Sequence, residues 1–303
     1  MVSRRRLLLG SAAALGAVGI GVAGNANAAV VRSAARAPTG LGAAVFGMPL
    51  PDGTTVPVTY LSRAAWGADE SLRFNGGVEI WPAEFYPAQA LTVHHSGFMQ
   101  PNPDQAARVR AIYNSHAVVQ GWGDIGYHLL IDDAGAVYEG RWSGADGVPV
   151  FGPDGAPTSS LVTTAGHALG YNVGNIGVCL IGDFTTGTPT AAAQTALVNV
   201  LAGLARICAI DPTGLISYVN PVNGYTRSVR GVSGHRDWNP TACPGNAFYP
   251  VLDDIRSRTA ALLPATPRVR PDTSVVLPGE LRTPPPTQPS APSTTGTGGR
   301  TRP

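Results

Sequence analysis

Short apolar runs alternate with longer segments of helical periodicity through the middle of the chain. The short runs are rich in Val, Ile and Leu, which is typical of strands buried in a sheet. We predict strands at residues 91–95, 125–131, 136–141 and 175–182. The longer segments predict helices at about residues 103–117, 188–210 and 250–263. Strands that alternate with helices favour an α/β fold, in which helices flank a central mixed sheet within a single domain.

The first predicted helix carries a candidate functional side chain at its end. Asn102 and Pro103 supply an N-cap followed by proline at the first helical position. Val109, Ile112 and His116 then share one helix face, because they follow the i, i+3, i+7 spacing. We therefore expect His116 to lie beside the apolar face of the helix and not in open solvent.

Both ends of the 303-residue chain differ in composition from its middle. Residues 1–28 combine paired arginines, a small-residue apolar stretch and Ala-Asn-Ala, the pattern of a twin-arginine export signal; a membrane anchor is the alternative. Residues 29–57 predict an irregular N-terminal arm. Residues 265–303 are rich in Pro, Thr, Ser and Gly and bury too little apolar surface to fold, which predicts a disordered tail. The globular domain is therefore predicted at residues 58–264.

The charge balance argues against a nucleic-acid partner. The full chain has a formal charge of 21 − 19 = +2. Removal of the predicted signal takes away Arg4, Arg5 and Arg6, which leaves 18 − 19 = −1. A nucleic-acid-binding surface usually carries a basic stripe. We expect no nucleic acid, and no stable membrane span once the signal is removed.

Three cysteines remain in a chain that is predicted to leave the cytoplasm: Cys179, Cys208 and Cys243. If Cys243 binds a metal, the other two form an even pair, and an oxidising destination favours a Cys179–Cys208 disulfide. Two small buried thiols are the alternative.

The segment from Gly234 to Gly245 contains two candidate metal ligands, His235 and Cys243, separated by seven residues. That spacing fits neither one helix face nor a Cys-x2-Cys knuckle, so the segment must fold back on itself to bring the two side chains together. Its prolines and glycines favour such a bend. A catalytic zinc site has three protein ligands and one open position, which requires a third ligand from elsewhere.

The candidates for that third ligand are His94 and His95, in the strand predicted at residues 91–95. Successive side chains on a strand point to opposite faces, so only one of the two faces a given site. The strand pattern alone leaves the choice open.

Six short motifs occur in order along the chain and together indicate a family. They are Arg63-Ala64-Ala65-Trp66-Gly67-Ala68, Thr92-Val93-His94-His95-Ser96, Gly121-Trp122-Gly123-Asp124-Ile125-Gly126-Tyr127-His128, Gly166-His167-Ala168-Leu169-Gly170-Tyr171-Asn172, Asn175-Ile176-Gly177 and the loop from Gly234 to Gly245. From about residue 61 to residue 263 the chain resembles the zinc amidases of the peptidoglycan recognition protein and bacteriophage T7 lysozyme type, which are N-acetylmuramoyl-L-alanine amidases.

The resemblance implies a Zn²⁺ site made of His94, His235 and Cys243, because the first histidine of the His-His pair is the family's metal ligand. It places Tyr127 on the family's catalytic tyrosine, and Thr241 where the family carries threonine or lysine. Hydroxyl groups of this kind stabilise the negative charge that develops during amide hydrolysis.

The resemblance also implies a groove for peptidoglycan, lined by His116, His167 and Asn172. The segment at residues 144–163 predicts a surface loop that is longer than the minimal family requires. We expect a monomer that acts outside the cell or at the cell wall.

The function implied by the resemblance is a secreted zinc amidase that cuts the bond between N-acetylmuramic acid and the L-alanine of the stem peptide. A binding-only peptidoglycan receptor is the first alternative, although non-catalytic relatives lose the cysteine that is present here as Cys243. A second alternative makes Cys243 a nucleophile with His235 as its base.

Overall fold

The computed structural model describes residues 43–49, 55–97, 104–144, 148–152 and 160–263. The predicted export signal and the predicted tail lie outside these residues, as does most of the predicted arm. The export signal and the disordered tail therefore remain predictions.

A mixed sheet of seven strands forms the centre of the described domain. In spatial order the strands are β1 (Ala43–Pro49), β2 (Thr55–Leu61), β8 (Val137–Glu139), β7 (Leu129–Ile131), β10 (Asn175–Leu180), β6 (Ala90–His95) and β13 (Val232–Gly234). The pairs β1/β2 and β7/β8 are antiparallel, and the other four neighbouring pairs are parallel. The predicted α/β architecture with a central mixed sheet is confirmed.

Smaller elements surround this sheet. The short two-stranded sheets are β3 (Phe74–Asn75) with β4 (Val78–Glu79), β5 (Phe85–Pro87) with β9 (Leu161–Thr163), and β11 (Leu215–Val219) with β12 (Thr226–Arg230). Within the described ranges, the α-helices are α1 (Arg63–Trp66), α2 (Gln105–Asn114), α3 (Ala191–Cys208) and α4 (Leu252–Ala261). The carboxylate of Asp104 caps α2 by accepting the Ala107 N–H at 3.2 Å, and one turn of π-helix, Ser115–Val119, extends α2. That turn carries His116.

The two faces of the sheet are covered differently. On β6, Leu91 and Val93 join the larger core cluster, which is packed with side chains of α3 and α4. Cys179 on β10 instead joins a second cluster with side chains of α2. Because strand side chains alternate, His94 faces away from the larger core. The sequence thus places His94 on the sheet face that α2 covers.

Helix α3 is, among the described residues, the one helix long and apolar enough by length and composition to cross a membrane. Its buried face includes Leu197, Leu201 and Leu204, which belong to the larger core cluster. This is the face that the leucine spacing predicts, so the helix has the environment of a core helix in a folded domain.

Three local predictions are wrong. The predicted irregular arm contains β1 and the first residues of β2, which pair at the edge of the sheet. The strand predicted at residues 125–131 is limited to Leu129–Ile131, so Tyr127 and His128 precede the strand. The predicted surface loop at residues 144–163 contains β9 and buries Val150 and Phe151.

The predicted Cys179–Cys208 disulfide is absent, because both residues are free thiols. Cys179 lies in the cluster beneath α2, whereas Cys208 lies in the larger core on the opposite face of the sheet. Both side chains are buried, so each packs as a small apolar group.

Candidate metal centre

The parallel pairing of β6 and β13 brings His94 and His235 together. Gly234, the last residue of β13, lies opposite Val93 in the register, so the next residue of each strand is a histidine. The centroids of the two imidazole rings are 4.6 Å apart. His235 opens a short 3-10 turn, His235–Asp237, which leads the chain away from the sheet.

The loop after β13 folds back on itself, as the spacing predicts. The backbone N–H of Arg236 donates to the carbonyl of Cys243 at 3.1 Å, and the Arg236 guanidinium binds the carbonyl of Ala242 and the side chain of Asn246. Gly245 has a φ of 106°, and a Cβ there would lie 2.2 Å from the Phe184 carbonyl oxygen. This bend needs glycine, and it returns Cys243 to the end of β6.

The three predicted ligands converge. One ligand-type atom from each of His94, His235 and Cys243 lies within 4.8 Å of the others, and the distance from His94 Nδ1 to Cys243 Sγ is 3.7 Å. Zinc–nitrogen and zinc–sulfur bonds at a tetrahedral angle place the two ligand atoms about 3.6 Å apart. Two imidazoles and one thiolate also match the preference of Zn²⁺ for nitrogen and sulfur donors. The residues therefore fit a zinc ion.

Burial sets the protonation of these ligands. It lowers the pKa of His94 and of His235, which keeps both imidazoles neutral and able to bind a metal. It raises the pKa of the Cys243 thiol to about 12, although the His95 backbone N–H donates to the sulfur at 3.3 Å and opposes this rise. The Arg236 guanidinium also opposes the rise. With a pKa of about 12, Cys243 is a thiol and a poor nucleophile at neutral pH.

His95 lies on the other side of the strand. Its Nδ1 accepts the Phe184 N–H at 3.1 Å, and its ring packs against the Phe184 ring at 6.1 Å. The structure therefore brings His94, and not His95, to His235 and Cys243.

Tyr127 lies beside the cluster, with its ring centroid 5.2 Å from that of His94. Burial raises the pKa of its hydroxyl well above the usual range, and the neighbouring Cys179 and Cys243 raise it further. The group is therefore a protonated phenol at neutral pH.

Thr241 lies at the exposed rim of the same loop. Its Oγ1 accepts the Cys243 N–H at 3.2 Å, so the hydroxyl helps to hold the ligand loop. The hydroxyl proton remains available to donate to a second group.

The three predicted groove residues occupy different settings. His116 Nδ1 accepts the Gly126 N–H at 3.0 Å, its ring lies 5.4 Å from that of Tyr127, and burial lowers its pKa to about 4. His167 lies against the cluster, with Nδ1 3.0 Å from His94 Nε2. Asn172 uses its Oδ1 to accept the N–H groups of His167 and Ala168, at 2.9 and 2.7 Å. Contact of these residues with a substrate remains a prediction.

Sequence reasoning missed the hairpin of β11 and β12, whose tip supports the loop that carries His167. The side chains of Asn220 and Asn223 both donate to the carbonyl of Gly170, at 2.9 and 3.0 Å. The signal was present, because Asn223-Gly224 between two runs with β-branched residues is a strong hairpin indicator.

Comparison with known proteins points to one family. The profile of the Amidase_2 family, N-acetylmuramoyl-L-alanine amidase, matches residues 84–246, which is more than half of the chain. Human N-acetylmuramoyl-L-alanine amidase is 31% identical over 189 residues, covering 60% of this chain and 27% of the human protein. Peptidoglycan-recognition protein LB of Drosophila melanogaster is 29% identical over 192 residues, covering 62% of this chain and 65% of the fly protein. The chain thus spans less than two thirds of either relative's length.

A solved structure, Drosophila PGRP-LB wild-type, is similar with a TM-score of 0.44 and 26% sequence identity, covering 64% of this chain and 92% of that chain. The match to the family profile extends from before β6 to the loop with Cys243, and so includes all three residues of the cluster. The chain belongs to the N-acetylmuramoyl-L-alanine amidase family Amidase_2.

Proposed function

We propose that this protein is a secreted, zinc-dependent N-acetylmuramoyl-L-alanine amidase that hydrolyses the amide bond between N-acetylmuramic acid and L-alanine in peptidoglycan. The observation that carries the proposal is the convergence of His94, His235 and Cys243 within 4.8 Å. Membership of the family and similarity to the human amidase support the choice of bond.

Three of the protein's side chains would hold one Zn²⁺: His94, His235 and Cys243. A bound Zn²⁺ supplies a Lewis acid for the scissile carbonyl and lowers the pKa of water to about 7. His94 and His235 are held neutral by burial, and Cys243 receives a hydrogen bond from the His95 backbone. These features leave the imidazole lone pairs available to a metal and hold the sulfur in place.

Amide hydrolysis builds negative charge on the carbonyl oxygen, which needs a hydrogen-bond donor. Tyr127 is suited to this role, because its phenol stays protonated beside the cluster. Thr241 offers a second hydroxyl at the rim of the ligand loop. His116 keeps its remaining proton on Nε2, since its Nδ1 accepts the Gly126 N–H. We assign His116 and Asn172 to the side of the site that receives the sugar and the stem peptide; His167, predicted for the same groove, contacts His94.

A binding-only receptor is the competing function, and Cys243 separates the two. A receptor has no need of a buried sulfur beside two neutral imidazoles. A cysteine hydrolase is disfavoured as well, because burial raises the pKa of Cys243 to about 12 and leaves little thiolate.

The proposed site of action is outside the cytoplasm, at the cell wall. The twin-arginine pattern in residues 1–28 supports export, and the near-neutral mature chain suits a soluble enzyme.

Digestion of purified peptidoglycan, followed by mass spectrometry of the fragments, tests the proposal. We expect free stem peptides that begin with L-alanine, together with glycan strands that lack them. EDTA should stop their release, and added Zn²⁺ should restore it. Binding to peptidoglycan without release of peptide would establish the receptor instead, and release that is indifferent to EDTA would establish the cysteine hydrolase.

A further inference from the structure

The imidazole of His167 is hydrogen-bonded through both of its ring nitrogens. Nε2 lies 2.9 Å from the backbone carbonyl oxygen of Asn175, and Nδ1 lies 3.0 Å from Nε2 of His94. The residue is 6% exposed, and His94 is fully buried. This ring is therefore enclosed between the backbone of β10 and a candidate metal ligand.

The direction of these two hydrogen bonds follows from their partners. A carbonyl oxygen only accepts, so the proton of His167 is on Nε2. A neutral imidazole has one N–H, so Nδ1 of His167 accepts, and Nε2 of His94 donates to it. The single proton of His94 is then on Nε2. Its Nδ1, the atom 3.7 Å from Cys243 Sγ, therefore carries the lone pair, which faces that sulfur.

Both rings are neutral in this arrangement. Among the described residues, neither His94 nor His167 shares a hydrogen bond or ion pair with a carboxylate. A buried cation without a counterion is strongly disfavoured. Each ring therefore carries one proton. The Asn175 carbonyl requires the proton of His167 on Nε2, and the acceptor Nδ1 of His167 in turn requires the proton of His94 on Nε2.

The position of the His167 ring is fixed by the sequence around it. A Cβ on Gly177 would lie 2.6 Å from Cγ and Cδ2 of His167, so the ring fills space that only glycine leaves open. The backbone N–H of His167 donates to Asn172 Oδ1 at 2.9 Å. The ring is therefore held from below by β10 and at its backbone by the loop.

We propose that His167 is a positioning residue for the metal ligand His94: it fixes the Nε2–H tautomer of His94 and presents Nδ1 to the metal. This inference rests on the proposed zinc amidase function. Metal-bound histidines commonly donate their second N–H to a carboxylate, a backbone carbonyl or water. Here the acceptor is the imidazole of His167, whose own tautomer is set by the Asn175 carbonyl. Because both ring nitrogens are engaged, His167 keeps no free hydrogen-bonding nitrogen for a substrate.

Three variants test this role through metal affinity, measured by competition with a chelator. His167→Phe keeps a ring of similar shape but removes the acceptor, and we expect Zn²⁺ affinity to fall by about 10–100-fold. His167→Asn places Oδ1 near the lost Nδ1, so it should recover much of that affinity. His128→Phe is the matched control: His128 is buried, packs on the His167 ring at 5.6 Å and bonds the Thr163 carbonyl and the Gly177 N–H, but no hydrogen bond joins it to His94. Its Zn²⁺ affinity should stay at the level of the unmodified protein.

Two further results decide the inference. In the unmodified, metal-free protein, ¹⁵N NMR of the imidazoles should show the Nε2–H tautomer for both His94 and His167, a readout that does not depend on any variant folding. A His94 ring protonated on Nδ1, or unchanged Zn²⁺ affinity in His167→Phe with a raised KM, would overturn the proposal in favour of substrate contact. Failure of the unmodified protein to bind Zn²⁺ at all would instead overturn the proposed function.

Discussion

The domain contains two buried clusters of polar side chains. They differ in whether the members of the cluster form ion pairs and hydrogen bonds with one another. Around Asp124, one carboxylate oxygen accepts from Arg63 and the other from Arg141, at 2.8 and 2.7 Å, and both oxygens also accept a backbone N–H. All three side chains are at most 2% exposed. Glu70 also pairs with Arg63, at 2.7 Å, so two positive charges face two negative ones and the network is closed.

The cluster of His94, His235 and Cys243 is open. Its ligand atoms approach one another within 4.8 Å, yet no carboxylate neutralises or bridges them among the described residues. Two imidazole nitrogens and one sulfur that converge in this way form a ligand set of the kind that binds Zn²⁺. A closed network of paired charges supports the fold, whereas converging metal-ligand groups mark a site. Removal of one residue from the Asp124 network should therefore lower stability, whereas removal of one residue from the cluster of His94, His235 and Cys243 should abolish zinc binding and activity.

The largest expected effect is on the open cluster. Cys243→Ser replaces a sulfur ligand by a poor one, so the protein should lose zinc and its release of stem peptides should fall to background. The fold should persist, because a serine fits the space. Cys208→Ser, the same change at a buried cysteine on the other face of the sheet, should keep both properties. Full peptide release by Cys243→Ser would refute the ligand assignment.

The closed cluster should respond in stability. Asp124→Ala leaves two buried guanidinium groups without their shared partner, which should lower the free energy of unfolding by about 3–5 kcal/mol. Urea denaturation measures the change. Asp253→Ala removes an exposed carboxylate that pairs with Arg256, and it should cost less than about 1 kcal/mol. Equal effects from the two variants would show that the network around Asp124 contributes little.

Acidification should weaken the contribution of the buried histidines to stability, but not that of the ionic network around Asp124. Burial lowers the pKa of His128 from 6.5 to about 4. Between pH 6.5 and pH 4, the unfolded chain therefore binds a proton at His128 that the folded chain does not bind. The free energy of unfolding falls as the pH drops through this range. The loss from His128 is roughly 3 kcal/mol.

The Asp124 carboxylate stays charged over this range, because Arg63 and Arg141 lower its pKa. The His128→Asn variant should lose less stability on acidification than the unmodified protein, as measured by urea unfolding at several pH values. Parallel pH profiles for the two proteins would contradict a neutral, buried His128.

A smaller effect is expected at Tyr127, which lies beside the open cluster but supplies no ligand. Tyr127→Phe removes the proposed hydrogen-bond donor, so kcat should fall by about 100-fold with zinc content unchanged. Tyr113→Phe, which removes a hydroxyl that donates to the Asp69 carbonyl, should leave kcat unaltered. An unchanged rate in Tyr127→Phe would limit that residue to packing.

The sequence pattern was sufficient to predict an element when all of the relevant residues lay within that element. The leucine spacing of α3 and the apolar run of β10 predicted those elements, and the proline-rich loop predicted a fold-back between His235 and Cys243. The same reasoning failed for β1 and β2. Small residues and scattered glycine and proline gave no period there, and the strands are defined by pairing with each other at the sheet edge.

Side-chain partners distant in sequence were beyond reach of the pattern. His94 and His167 are 73 residues apart, and their hydrogen bond depends on the parallel pairing of β6 with β10 and on the space left by Gly177. Strand alternation alone did not distinguish His94 from His95, and only the family resemblance chose His94; in the structure, the pairing of β13 with β6 brings His235 to His94. The chemistry of the residues was readable from the sequence, but their orientation came from tertiary packing.

The most direct test of the central claim is the metal content of the purified, unmodified protein, measured by elemental mass spectrometry. An open cluster built from His94, His235 and Cys243 predicts one zinc per chain, removed by EDTA and absent from Cys243→Ser. A protein that contains no zinc as isolated, and takes none up from solution, would contradict the account.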